Sequence, residues 1–160
     1  MHSENFSFSC LSPFPPKQIH NNRRRTSSHY ISELVRDFEG HLKIYKELFC
    51  GEKYSGNSKK ELEPEDAAEI CLYLGFFEKI GFLLNKEVIT LESVAELFTF
   101  RLLLATNNKK VQEKILYDKK LGSRFCSVAE LHNKIVNYWK EKGVQLDGEM
   151  LDEKQCPCNC

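Results

Sequence analysis

Net charge is the first thing this chain lacks. Its 160 residues hold 23 Lys+Arg and 23 Asp+Glu, so no global field draws it toward nucleic acid or an anionic membrane. Long apolar runs are lacking as well. The most apolar stretch, residues 70–84, is interrupted by Glu78 and Lys79, and residues 97–105 by Arg101. A membrane-spanning helix needs about 20 apolar residues in a row. No strand-period alternation of useful length occurs, which argues against a sheet. An orderly cysteine pattern is lacking too. The seven, at 10, 50, 71, 126, 156, 158 and 160, are odd in number and irregular in spacing, so they do not read as a secreted disulfide framework. A reducing compartment, the cytoplasm, is the expectation. The N-terminus has no positive segment followed by an apolar one, so it does not read as a signal peptide.

Chemical motifs are also wanting. There is no G-x-x-x-x-G-K-[ST] phosphate loop, no G-x-S-x-G elbow and no H-x-x-x-H pair among histidines 2, 20, 29, 41 and 132. No catalytic residue and no cofactor site is assigned, and the chain reads as a non-enzyme.

What is present is helical periodicity. Residues 64–105 hold its densest form: PEDAAEICLYLGFFEKIGFLL, a break NKEVIT, then LESVAELFTFRLLLA. Pro64 suits a first helical turn, and Glu65, Asp66 and Glu69 favour the positive end of the helix dipole. Ile70, Leu74, Phe77, Gly81 and Leu84 make one stripe, with Leu72, Phe76 and Leu83 on other faces, as in a central helix. Gly75 and Gly81 each cost about 1 kcal/mol against Ala, which suggests close approach by a neighbouring helix. Thr90 is the expected N-cap of the next helix, with Ile89 and Val94 as a hydrophobic staple. Val94, Phe98, Leu102 and Ala105 line its face. Asn107 and Asn108 are read as its left-handed terminators.

Three further helices flank this hairpin. The first, at about 29–50, has a face of Ile31, Leu34, Val35, Phe38, Leu42, Tyr45, Leu48 and Phe49. A basic one at about 109–121 is anchored by Val111, Ile115, Leu116 and Leu121. The last opens with the capping box Ser127-x-x-Glu130, carries Val128, Leu131, Ile135, Tyr138 and Trp139, and ends at Gly143. Cys71 reads as a small buried hydrophobe. The expected fold is therefore all-α, a single bundle of about five helices. Residues 28–143 form the domain. Residues 1–27 form a disordered basic arm, and 144–160 an acidic tail ending in cysteines.

Three constellations offer chemistry. Glu78 borders the apolar stripe of the first hairpin helix and Arg101 lies within that of the second, so an ion pair between them that holds the hairpin together, or a capped carbonyl, is expected. Cys156, Cys158 and Cys160 offer three soft thiolates that would suit zinc or copper(I), one short of a tetrahedral set. Arg23–Arg25 with helix 109–121 make a basic footprint for DNA, diluted by Glu113 and Asp118.

The run Phe76-Phe77-Glu78-Lys79-Ile80-Gly81 and the later VAELFTFR of Val94–Arg101 resemble an uncharacterised family of small helical domains in prokaryotes. Phe125, Val128 and Leu131 extend the resemblance over roughly residues 66–139. It implies an all-α domain and carries no activity.

The functional reading is a non-enzymatic interaction or regulatory module. Its partner would be another protein or a second copy of itself, docked on an exposed aromatic-aliphatic patch of helix 29–50 or of the last helix. The alternatives are a DNA-associated regulator using helix 109–121 and Arg23–Arg25, and a thiol or metal protein acting through Cys156, Cys158 and Cys160.

Overall fold

The computed structural model describes residues 16–50, 62–146 and 151, with side chains from residue 27 onward. Six α-helical elements follow in order: α1 (Pro16–Asp37), α2 (Leu42–Cys50), α3 (Pro64–Asn85), α4 (Leu91–Thr106), α5 (Lys109–Val111) and α6 (Cys126–Glu141). All but the three-residue α5 are substantial, so the expected five-helix, all-α architecture holds. No strand occurs among the described residues.

The N-terminal boundary differs from expectation. Helix α1 begins at Pro16, ahead of the expected start near residue 29. Proline breaks a helix from within, but its fixed φ suits the first turn. The expected helix 29–50 is also cut in two, by a 3₁₀ turn at Phe38–His41. The tighter turn rotates the buried face. Leu34 is buried ahead of it, Phe38 at its first residue, and Ile44 and Leu48 beyond it, while Leu42 is turned outward.

Phe38 becomes an aromatic hub. Its ring lies 5.4–6.4 Å from those of Phe76, Tyr45, Tyr73 and Phe98, mostly edge-on, a geometry that favours aromatic pairs. Tyr73 is fully buried and donates its hydroxyl to the Arg101 carbonyl at 2.8 Å. Burial pushes the Tyr73 phenol well above its ordinary range. A buried hydroxyl without that acceptor would cost about 1–3 kcal/mol.

Helix α3 is the axis, packing on α6, α4 and α2. It starts as expected, with Pro64 in the first turn. It ends in a Schellman motif: Val88 N–H reaches the Leu83 carbonyl and Glu87 N–H the Leu84 carbonyl, both at 3.0 Å, with Glu87 at φ 55°. Helix α4 starts at the expected cap, Thr90, whose hydroxyl accepts from Ser93 N–H. Its inner face is Val94, Ala95, Phe98, Leu102 and Ala105, all fully buried.

Two terminator assignments change. Asn107 and Asn108 both have negative φ, and Asn108 starts the next element by accepting from Lys110 and Val111 N–H. Helix 109–121 stops short. After α5 the backbone widens to a π turn over Gln112–Leu116, closed by Tyr117 N–H on the Gln112 carbonyl at 2.8 Å. The Asp118 carboxylate then accepts from Lys120 and Leu121 N–H, and those two N–H groups hold its carboxyl below the usual range. A side chain that captures backbone donors in this way competes with helix.

Candidate functional site

The expected ion pair is not what Glu78 and Arg101 form. Glu78 projects from α3 to the start of α6, where its carboxylate accepts Ser127 N–H at 3.3 Å and Val128 N–H at 3.1 Å. Ser127 N–H is one of the orphan donors of a helix N-terminus, while Val128 N–H also reaches the Phe125 carbonyl at 3.1 Å. The expected capping box is displaced by this arrangement: the first residue of α6 is Cys126, preceded by Phe125 with no side-chain cap, and Glu130 pairs with Lys134 instead. Arg101 lies on the other side of the hairpin. Its guanidinium sits 4.5 Å above the Phe38 ring and 5.4 Å from that of Phe98, and it donates to the Leu97 carbonyl. An aromatic face satisfies a charge at the edge of a core much as a carboxylate does.

The α3–α6 contact is close because Gly81 has no side chain. A Cβ placed there would lie 2.7 Å from Ser127 Cβ and 2.9 Å from the Ser127 carbonyl oxygen. Gly81 thus meets the expectation of a close neighbour. Gly75 does not, since a Cβ there would have nothing within 4 Å.

A buried polar cluster lies where α4, α5 and α6 meet. Thr106 and His132 are fully buried, and Thr106 Oγ1 lies 2.8 Å from His132 Nδ1. Thr106 Oγ1 also lies 3.0 Å from the Leu102 carbonyl oxygen, so the hydroxyl bridges the imidazole and the backbone of its own helix. Gln112 donates to the Thr106 carbonyl. The cluster ties α4 to α6.

Among the described residues no cluster of three His, Cys, Asp or Glu side chains could hold a metal. No described helix is long and apolar enough to cross a membrane. Cys156, Cys158 and Cys160 lie outside the described residues, as do the side chains of Arg23–Arg25. Cys71 is free and half-buried, and burial raises its thiol pKa. Cys126 is disulfide-bonded, which the irregular cysteine spacing gave no reason to expect.

A groove of about 630 Å³ lies between α4 and the end of α6. Ala95, Thr99, Phe100 and Leu103 of α4 line one side, and Trp139, Val144 and Leu146 the other. Trp139 is fixed there, its indole N–H donating to Thr99 Oγ1 at 2.8 Å. Phe100, 54% exposed, packs edge-on against Phe49 of α2 at 5.7 Å, itself 58% exposed. Leu97 on α4 adds a third exposed apolar side chain. The aromatic-aliphatic patch expected on helix 29–50 or on the last helix therefore centres on α4, flanked by α2 and α6. The apolar stripe of α4 read from the sequence pointed inward only, so Phe100 went unnoticed as a surface residue.

Comparison with protein families, with curated proteins and with solved structures finds no match to this chain.

Proposed function

We propose that this chain is a non-enzymatic helical interaction module whose partner lays an amphipathic helix into the α4–α6 groove. The contiguity of Phe49, Phe100 and the Trp139-lined groove supports this reading. Exposed apolar residues scattered singly are ordinary, but a contiguous apolar surface marks an interaction site. The groove follows α4 from Ala95 to its C-terminal end, about 16 Å of helix axis, long enough for about three turns of a partner helix presenting i, i+3, i+4 and i+7 anchors. Trp139 and Phe100 are of the residue types that carry binding energy at such contacts.

The test compares wild type with Phe100→Glu. Because Phe100 is more than half exposed, the substitution should leave the melting temperature nearly unchanged. A defined protein retained by wild type and lost by the variant bears the reading out. Concentration-dependent mass in sedimentation, abolished by the same substitution, would assign the partner as a second copy. Equal retention and equal sedimentation by the two proteins would overturn the reading.

A further inference from the structure

Helix α3 is apolar nearly all round, a composition that belongs to a helix covered on every side. Its own chain covers it from α2, α4 and α6, and one stripe stays open. Ala68, Leu72, Gly75, Lys79 and Phe82 are exposed along it, with Leu72 70% and Phe82 56% exposed. The steps of 4, 3, 4 and 3 are the heptad seam of a helix that pairs with another helix. Glu65 extends the seam at one end and Lys86 at the other, in the same rhythm, and both are exposed. Lys79 turns its ammonium to Asp37 of α1 at 2.7 Å. Its charge is therefore balanced within the chain, and its aliphatic stem is left to cover apolar surface.

Gly75 lies at the midpoint of this seam. A glycine there costs about 1 kcal/mol against Ala. Nothing in its own fold requires it, since a Cβ would have nothing within 4 Å. A glycine in the middle of an exposed seam lets a second backbone come close. We infer that α3 pairs with the α3 of a second copy of this chain, antiparallel, with the Gly75 residues of the two copies meeting at the two-fold axis. Charge and size both select that arrangement. About an antiparallel axis at Gly75, Glu65 of one copy lies opposite Lys86 of the other, at both ends of the seam. The small Ala68 faces the large Phe82, and Leu72 faces the Lys79 stem. The two-fold axis makes each of these contacts twice. A parallel pair would instead set Glu65 against Glu65 and Lys86 against Lys86, and like charges in register disfavour it. The seam from Glu65 to Lys86 runs for about 30 Å. This surface is separate from the α4–α6 groove and does not depend on it.

One helix seam makes a contact below the standard interface size, so the dimer is a weak one. The experiment is sedimentation equilibrium of the full chain from about 1 to 300 μM. It compares wild type with Gly75→Glu, Glu65→Lys, Lys86→Glu and the double charge swap. Wild type should rise from monomer to dimer mass with concentration and return on dilution. Gly75→Glu fills space that is open in the monomer, so its melting temperature at the lowest concentration should not fall. It should stay monomeric, because two glutamates then meet at the axis. Each single swap sets like charges together at both ends and should weaken the dimer at least severalfold. The double swap restores opposite charges across the antiparallel seam and should recover the wild-type dissociation constant. Monomer mass at every concentration would overturn the pairing, as would a Gly75→Glu protein that dimerises like wild type. A double swap no stronger than the single ones would overturn the antiparallel register. Dimerisation lost in Phe100→Glu and kept in Gly75→Glu would move the contact to the groove and overturn the pairing through α3.

Discussion

Two faces of the α3–α4 hairpin are built in opposite ways. Toward α6, α3 makes contact through backbone. Gly81 admits the Ser127 carbonyl, and Glu78 satisfies the first N–H groups of α6. Toward α1 and α2, the hairpin makes contact through rings: Phe38, Tyr45, Tyr73, Phe76 and Phe98 around a guanidinium. Rings can slide and re-pack at modest cost, whereas a backbone contact has no rotamer to yield. The ring-built side also continues outward to Phe49 and Phe100, which remain partly exposed. The rigid junction thus sets the geometry, and the adaptable side supplies the surface.

The largest effect should come from filling the rigid junction. Gly81→Val places two methyl groups where even a Cβ is too close to Ser127, and should lower stability by about 3 kcal/mol, measured by urea unfolding. A loss below about 1 kcal/mol would show that the α3–α6 spacing relaxes. Next is Glu78→Ala, which strips the cap of α6 and should cost about 1–2 kcal/mol. Glu78→Gln keeps one acceptor oxygen and should lose less, and equal losses would show that charge rather than hydrogen bonding matters. The smallest effect belongs to the ring-built side. Arg101→Met should cost about 0.5–1 kcal/mol through the lost cation–π contacts. An unchanged melting temperature would mean that the guanidinium adds no net stability over a thioether.

Local features were legible in the sequence because their partners are sequence neighbours. Thr90 caps α4 through Ser93, Pro64 opens α3 and Gly143 ends α6, each within a turn of the residue that signals it. Features that depend on tertiary contacts were not legible. Ser127 and Glu130 spell a capping box, yet the donors of α6 go to Glu78, 49 and 50 residues away in sequence. The stripe through Leu42 assumed a constant 100° step, and the 3₁₀ turn at Phe38–His41 moved burial to Ile44. Asp118 looked like a charge diluting a basic helix, but its carboxylate captured two backbone donors and helped end it. Among candidate site residues, Glu78 and Arg101 were correctly picked out as charges in need of partners. Their partners, a helix terminus and two rings, carry no formal charge and so leave no mark in a search for opposite signs.

The α6 cap has a consequence for how the chain folds. A helix that carries its own capping residue can begin to form before anything packs on it. Val128 N–H has the local Phe125 carbonyl at 3.1 Å, but Ser127 N–H waits for a carboxylate that only a docked α3 delivers, so the cap of the initial turn is completed after the long-range contact rather than before it. The α3–α4 hairpin, closed by its own turn and its own cap, has no such dependence. Order should therefore spread from the hairpin to the last helix, with α6 zipping from its middle toward its beginning.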